Sequence, residues 1–472
     1  MQEIRRLSHL GCSAILVIIS MLSALPAAAQ SFRVQCPTAT AMHPDATHPG
    51  QIKCQEIAGG DGYVTMGDGH QIYLFGFGPL SGLQDIQSGK PGTQVASAFN
   101  DPLNANSAKV EPADIMNTGV LFSNAPAPLM AINEDDELFL TLSNVGMVMR
   151  PDLFEQHTVH FHGYPNASSF FDGVPDASVA INIAGSFTYY YTAPEAGTYF
   201  FHCHIAPPEH LQMGMVGQIY VRPRQNRVAV GSDLSSALLA ANKSSPLGAI
   251  APATYDGKSC LDILCTGQTP APPASALRTP NVMYAYNDGD GSTRYDVEYP
   301  IQMMGFDPSF HYVGMTFNPE AFADMKDKYF TLSGRSYPDT INPGPISTMG
   351  ADGVSRPSQP LPSLISINKG TGQTRALLRL SNLSVTEFST LATLGIPMTV
   401  IAENARLLRD MAGNNLYYKT NSITIGGGES ADVILDASNT PAGTYFLYST
   451  NLDHLSNDAE NFGGMMTEIV VQ

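Results

Sequence analysis

The sequence predicts an all-β fold made of two copies of one β-sandwich, and three observations carry that expectation. Gly (42) and Pro (34) are frequent while charged residues make up only 14% of the chain, a composition rich in turns. Helix-type periodicity is scarce, and short runs alternate apolar and polar residues instead. The same string of motifs occurs twice in the same order.

The repeat sets the organisation. One copy reads "LSN" at 142–144, "HTVHFHG" at 157–163, "AGTYFFHCH" at 196–204 and "GMVGQIYV" at 214–221. The other reads "LSN" at 380–382, "STLATLG" at 389–395, "AGTYFLYST" at 442–450 and "GMMTEIVV" at 464–471. Strands are expected at 137–145 and 376–383, at 186–193 and 430–437, and at the ends of both copies, where Ile and Val favour extended backbone. "DGYVTMGDGHQIYLFGFGPL" suggests a hairpin, and 79–110 reads as loop. Pro, Ala, Ser and Thr accumulate between the copies, with "DLSSALLAANK" as a short helix. The expected division is a signal segment at 1–29, a first domain at 30–225, a linker at 226–280 and a second domain at 281–472.

The N-terminus reads as an export signal. Arg5 and Arg6 precede an apolar run that ends at Ala27-Ala28-Ala29, a small-residue cleavage site. The run is interrupted by Ser20 and Ser23 and is short for a span of roughly 20 residues. No membrane span is expected after cleavage, and the mature chain is expected in the periplasm or secreted. A net charge of −18 argues against nucleic acid as a partner and suits docking with a basic partner. Five Cys follow the signal, at 36, 54, 203, 260 and 265. Export favours disulfides, and proximity pairs Cys36 with Cys54 and Cys260 with Cys265. Cys203 is left over, and an unpaired Cys in an exported chain needs a reason.

Metal chemistry supplies one. A type 1 copper takes two imidazoles and a thiolate, with a weak axial thioether. His157, Cys203, His210 and Met215 provide these in the first copy, with Met213 as the nearest competitor for the axial place. Any one of these residues alone would read as a satisfied polar group or a small buried hydrophobe. Six of the twelve His fall in these two windows with the unpaired Cys, a clustering that chance explains poorly.

The pattern His157-x-x-His160-x-His162-Gly163, then His202-Cys203-His204, His210 and Met215, resembles the copper signatures of multicopper oxidases, a family that includes laccases and has similar domains to copper nitrite reductases. "DGVP" at 172–175 adds to the likeness, which covers about 110–225 and 280–472. It implies tandem cupredoxin-like Greek-key sandwiches and copper as the cofactor. It implies His157, Cys203 and His210 as strong type 1 ligands with Met215 axial. His160 corresponds to a type 2 ligand, and His162, His202 and His204 to type 3 ligands. The implied activity is a copper-dependent oxidoreductase that passes electrons from a small-molecule or protein donor through the type 1 copper to the His-bound copper.

Two departures qualify the likeness. The family's three-copper cluster takes four His-x-His pairs, and this chain supplies two, 160/162 and 202/204. Aligned by the repeat, His157, His160 and His162 become Ser389, Ala392 and Leu394, and His202, Cys203 and His204 become Tyr448, Ser449 and Thr450. Ser449 cannot replace a thiolate. His454 stands in the loop after Ser449, where a relic or surface residue is expected. The loop from Cys203 to His210 also contains Pro207-Pro208.

Two other readings therefore stand beside the oxidase. A type 1 electron carrier or copper binder needs no second site. A nitrite-reductase-like homotrimer would use His162 and His202 with a third His from a neighbouring subunit, such as His311 or His454. In that family a catalytic Asp occupies the position held here by His160, so the usual source of protons is missing. His43 and His48 between Cys36 and Cys54 read as exposed residues of a disulfide loop. "DGDGSTRYD" at 288–296 reads as a turn rather than a calcium loop, and Asp172 as a turn former.

Overall fold

Strands form where the sequence alternates. A computed structural model describes residues 33–107, 111–163, 168–245, 272–316 and 321–472. The expected signal segment and the expected Cys260–Cys265 pair lie outside the described residues.

β1 (Ile52–Thr65) and β2 (Gln71–Pro79) make the expected hairpin around a turn at 66–70. β3 (Met130–Asn133), β4 (Glu137–Gly146), β5 (His160–His162), β6 (Ser186–Thr192), β7 (Gly197–His202) and β8 (Val216–Arg222) follow. One sheet runs β2-β1-β4-β6 and the other β3-β8-β7-β5. β1 is parallel to β4 and β3 to β8, pairings that need crossovers between sheets. Ile57, Phe75, Leu140, Phe161, Phe201 and Ile219 fill the space between. Each such side chain contributes about 1.5–3 kcal/mol on burial.

The second half repeats this plan. Its strands are β9 (Val297–Phe306), β10 (Tyr329–Leu332), β11 (Ile365–Ile367), β12 (Arg375–Asn382), β13 (Ser389–Leu394), β14 (Met398–Glu403), β15 (Ser422–Ile425), β16 (Glu429–Asp436), β17 (Gly443–Ser449) and β18 (Met466–Val471). The sheets run β10-β9-β12-β16-β14 and β11-β18-β17-β13-β15 around Ile301, Leu378, Leu380, Val433 and Leu447. β9 is parallel to β12 as β1 is to β4, and β11 to β18 as β3 is to β8. In the first copy His160 faces His202; in the second Ala392 faces Tyr448. The register thus reproduces the alignment of the two sequence copies.

All six residues of β7 are buried because both faces are covered. The inner face meets the first core. The outer face of the β3-β8-β7-β5 sheet meets β9, β12 and β16 of the second sandwich. Arg379, fully buried, ties this junction. Its Nε donates to Glu298 at 3.0 Å, its Nη1 to Thr198 Oγ1 at 3.3 Å, and its guanidinium lies 4.6 Å from the Tyr220 ring centroid. Thr198 in turn donates to Asp432 at 2.6 Å.

Some expectations change. The region 79–110 holds two short helices, Leu83–Gln87 and Ala96–Phe99, beside loop. Cys36 and Cys54 form a disulfide, but His43 between them is buried, with Nδ1 donating to Glu137 at 2.6 Å, while His48 is exposed. The Glu137 carboxylate at the start of β4 made this His a core residue. α1 (Pro207–Gln212) and α2 (Leu234–Ser244) lie between β7 and the second half, and Asp233 caps α2 by accepting from Ser236 N–H at 2.9 Å. Asp288 folds 288–296 into a turn by accepting from Gly291 and Thr293 N–H.

The connections from β9 to β10 and from β1 to β2 occupy equivalent places but differ in length. The first runs through 307–328, against 66–70 in the first copy. It carries α3 (Pro308–Gly314), and it sits on the first sandwich: Phe310 enters the first core, and Met315 and Met325 pack beside it.

Candidate metal centres

The first group is built by β7 and the loop that follows it. Cys203 comes just after β7, and its N–H donates to Met215 O at 3.1 Å; Met215 N–H donates to His210 O at 2.9 Å. These two bonds fold 203–215 into a closed loop with α1 at its tip. His157 enters from the segment before β5, held by exchange of backbone bonds with Ile181. The structure brings His210 Nδ1 to 3.2 Å and His157 Nδ1 to 4.0 Å from Cys203 Sγ. All three residues are fully buried, as are Met213 and Met215. Met215 is placed beside Cys203 and His210 by its backbone bonds.

Cys203 is the free cysteine among the described residues. Burial pushes its thiol up, but the neighbouring charge and hydrogen bonds of His210 and His157 outweigh that and hold it well below the ordinary thiol range. Thr158 N–H also points at the sulfur, at 3.4 Å. A buried thiolate aimed at by two imidazole nitrogens, with a thioether at hand, is the donor set of a type 1 copper, and the residues present fit that ion.

The surroundings fix the rings. Phe75 meets His210 edge-on at 5.2 Å between centroids. Glu155 Oε2 lies 3.7 Å from His210 Nε2. Gly59 leaves room for His157, because a Cβ there would lie 2.7 Å from His157 Cδ2.

The second group lies on the outer face of β5 and β7. His162 Nε2 and His202 Nε2 are 2.8 Å apart, and His160 completes a cluster whose ligand atoms all fall within 4.8 Å. His202 Nδ1–H donates to Cys203 O at 2.7 Å, so its Nε2 keeps a lone pair facing His162. His160 Nδ1–H donates to Asp172 O at 2.6 Å, which frees its Nε2 in the same way. Burial, with the nearby imidazoles, lowers His162 to about 4 and His202 to about 3, so both rings are neutral and able to bind metal. His204 is the member the cluster leaves out. Its ring is stacked 5.6 Å from His202 and meets His160 edge-on at 5.0 Å, and its backbone N–H donates to Thr158 Oγ1. Asp172 serves the turn and orients His160.

His162 and His202 open into a cavity of about 420 Å³. The second sandwich closes its far wall with 383–388 and 427–428. The positions that replaced the other His pairs, Ala392, Leu394, Tyr448 and Thr450, do not line it.

The second copy keeps the frame of the first group. Ser449 N–H donates to Met465 O at 2.9 Å and Met465 N–H to His454 O at 2.7 Å, the two bonds made by Cys203, Met215 and His210. His454 is buried in the core, not on the surface. Its Nε2 bonds Glu387 Oε2 at 2.7 Å, and Glu387 stands two residues before Ser389 as Glu155 stands two before His157. With Ser at both 389 and 449, no thiolate or second imidazole remains.

His311, offered as a third ligand, is also buried, and both ring nitrogens face backbone carbonyls, of Tyr73 and Gln212. Reading the sequence missed Gln212. It lies two residues after His210, donates to Asp327 Oδ1 at 2.9 Å and accepts from Asp307 N–H at 3.0 Å, pinning the 203–215 loop to the 307–328 connection. It missed Glu155 and Glu387 too, though their shared offset from the aligned positions 157 and 389 was visible.

Comparison with known proteins agrees with this geometry. A family model described as multicopper oxidase matches residues 104–226, and a second of the same description matches 325–470; together they take in more than half of the chain. Copper resistance protein A of Pseudomonas syringae pv. tomato is 22% identical over 375 residues, 78% of this chain and 50% of that protein. A laccase of Aspergillus fumigatus is 33% identical over 104 residues, 22% of this chain and 16% of its own length. A copper-containing nitrite reductase of Neorhizobium galegae is 34% identical over 104 residues, 21% of this chain and 24% of its own. The chain thus spans half or less of the length of these relatives. Among solved structures, the blue copper oxidase from Nitrosomonas europaea superposes with a TM-score of 0.52 at 18% identity, covering 89% of this chain and 85% of that one, a likeness of fold. Two sandwiches in repeat, a buried Cys-His-His group beside a His cluster and two family matches lead to one conclusion: this chain belongs to the multicopper oxidase family, whose members bind copper.

Proposed function

We propose that the chain is an exported copper-dependent oxidoreductase that takes electrons from a small-molecule or protein donor at the Cys203 group and delivers them to a small acceptor at the His160–His162–His202 cluster. His157, Cys203, His210 and Met215 would hold the type 1 copper, and the His cluster a second copper, with His204 beside it. Copper supplies one-electron redox chemistry and Lewis acidity at these ligands. The single observation that carries the reading is the link between the groups. Cys203 and His202 are neighbours in the chain, and His202 Nδ1–H also donates to the Cys203 carbonyl at 2.7 Å. A peptide bond and a hydrogen bond thus join the buried thiolate to the cluster, a connection that a carrier with one copper does not need.

Export rests on the reading of residues 1–29 and is supported by the Cys36–Cys54 disulfide, which suits a periplasmic or secreted protein. No helix among the described residues is long and apolar enough to cross a membrane.

The close His162–His202 pair favours one second reading, a nitrite-reductase-like enzyme working as a homotrimer, because that chemistry needs one copper beside the type 1 site rather than three. One experiment separates the readings. The protein is loaded with copper, the metal counted, and the intense visible band reduced and then exposed to oxygen or to nitrite. Two or more coppers and return of the band with oxygen support the oxidase. Return with nitrite alone supports the second reading. A single copper and no return with either acceptor leaves an electron carrier. No visible band in fully loaded protein, or a band that persists in Cys203→Ser, overturns the type 1 assignment.

A further inference from the structure

Reducing oxygen to water takes up one proton with each electron, and reducing nitrite to nitric oxide and water takes up two protons with one electron. The acceptor site therefore needs an acid. Asp172 turns its backbone, not its carboxyl, to His160 at hydrogen-bonding distance. Among the described residues lining the 420 Å³ cavity at His162 and His202, the one carboxylate is Glu387, on the opposite wall.

We propose that Glu387 of the second sandwich is the proton donor to the acceptor bound at the first sandwich's His cluster, and that His454 positions it. This rests on the oxidoreductase reading above. In the reaction the Glu387 carboxylate takes a proton from solvent, and its O–H bond breaks as that proton passes to an acceptor oxygen with the arriving electron, which restores the carboxylate. The Glu387 side chain is 41% exposed, so that exchange needs no buried relay.

The second copy's counterpart of the Cys203–His210 loop holds the acid in place. His454 Nε2–H donates to Glu387 Oε2 at 2.7 Å, and Ser449 O–H donates to His454 Nδ1 at 3.1 Å, which fixes the tautomer. Phe330 stacks on the imidazole at 4.0 Å and keeps its plane. A thiolate at 449 or a metal on Nδ1 would break this chain of bonds. The other acid nearby, Asp327, has its oxygens taken by Gln212 Nε2 and Thr386 Oγ1. Ser449 and His454, which stand where Cys203 and His210 stand in the first copy, thus hold a carboxylate.

The test is Glu387→Gln in the copper-loaded full chain, read three ways. The visible band and its reduction by donor stay as in wild type. Reoxidation by the acceptor falls on the order of a hundredfold and loses its dependence on pH. In metal-free protein the His454 ring N–H resonance, displaced by its bond to the carboxylate in wild type, moves toward that of a neutral partner. Glu387→Asp, which keeps the charge on a shorter arm, restores part of the rate and the pH dependence. Should Glu387→Gln not fold, Glu387→Asp must still slow reoxidation with its pH dependence kept. Reoxidation by Glu387→Gln within twofold of wild type, with an unchanged pH profile, overturns the proposal. If wild-type protein is itself never reoxidised by oxygen or nitrite, the oxidoreductase reading fails instead, and the two failures are distinct.

Discussion

Ser449 Oγ lies 3.1 Å from His454 Nδ1, which is the relationship of Cys203 Sγ to His210 Nδ1 at 3.2 Å in the other half of the chain. The second sandwich thus keeps an imidazole, a Met backbone frame and a carboxylate in the places they hold in the first. It has lost only the groups that bind metal strongly.

Copper binding should accordingly be recoverable there. Ser389→His with Ser449→Cys, placed in a Cys203→Ser background, should give one thiolate-dependent visible band from the second half. Either substitution alone should give none. Absorption spectra and copper counts on the purified variants decide it, and a double variant that binds no copper would show that the frame has drifted too far.

Gly59 sets the place of His157. Gly59→Ala puts a methyl group 2.7 Å from His157 Cδ2, so the ring has to move. The expected result is folded protein whose visible band is shifted or weakened, with the His cluster's metal content unchanged. A wild-type spectrum would mean that the β1 backbone, not the ring, gives way.

Arg379 is the charge on which the junction depends. Removing it by Arg379→Ala leaves the buried Asp432 without its cation and Glu298 with Arg222 alone. The expected loss is about 3–5 kcal/mol in chemical denaturation. Arg379→Met, which keeps the bulk, also leaves Asp432 without a cation and should cost a similar amount. A loss under about 1 kcal/mol in both would refute the role.

The neutral His202 ring makes stability fall toward acid. Burial lowers it to about 3 in the folded state, while the unfolded chain titrates near 6.5. Between those values the unfolded state binds the extra proton, so stability rises with pH across the window and is lost as pH falls through it. Metal-free His202→Gln should lack this contribution, about 1.4 kcal/mol per pH unit at most. Melts at pH 4 to 7 on both proteins measure the difference, and parallel curves would rule the effect out.

Much of this arrangement could be read from the chain because the ligands sit in two short windows and the repeat supplies its own alignment. The register of Ala392 with Tyr448 follows from counting along the sequence copies. Contacts between distant segments left no such mark. Gln212 looked like any polar residue near a loop, and its bonds to Asp307 and Asp327 exist only because the second sandwich docks on the first. His454 looked like a relic because nothing in its flanking sequence shows that Glu387 faces it. His43 looked exposed for the same reason, its partner Glu137 lying on a strand far along the chain.

The long connection at 307–328 has a consequence for the order in which the protein is completed. Its α3 lays Phe310 into the first core and places the His311 ring against the backbone of Gln212, so the outer wall of the Cys203–His210 loop is made from a part of the chain translated a hundred residues later. The first sandwich can collect its own ligands, but it cannot finish their enclosure. Metal offered before the second half has folded meets an open loop; metal offered afterwards meets a closed one. The docking of the second half is therefore what closes the wall of the Cys203–His210 loop.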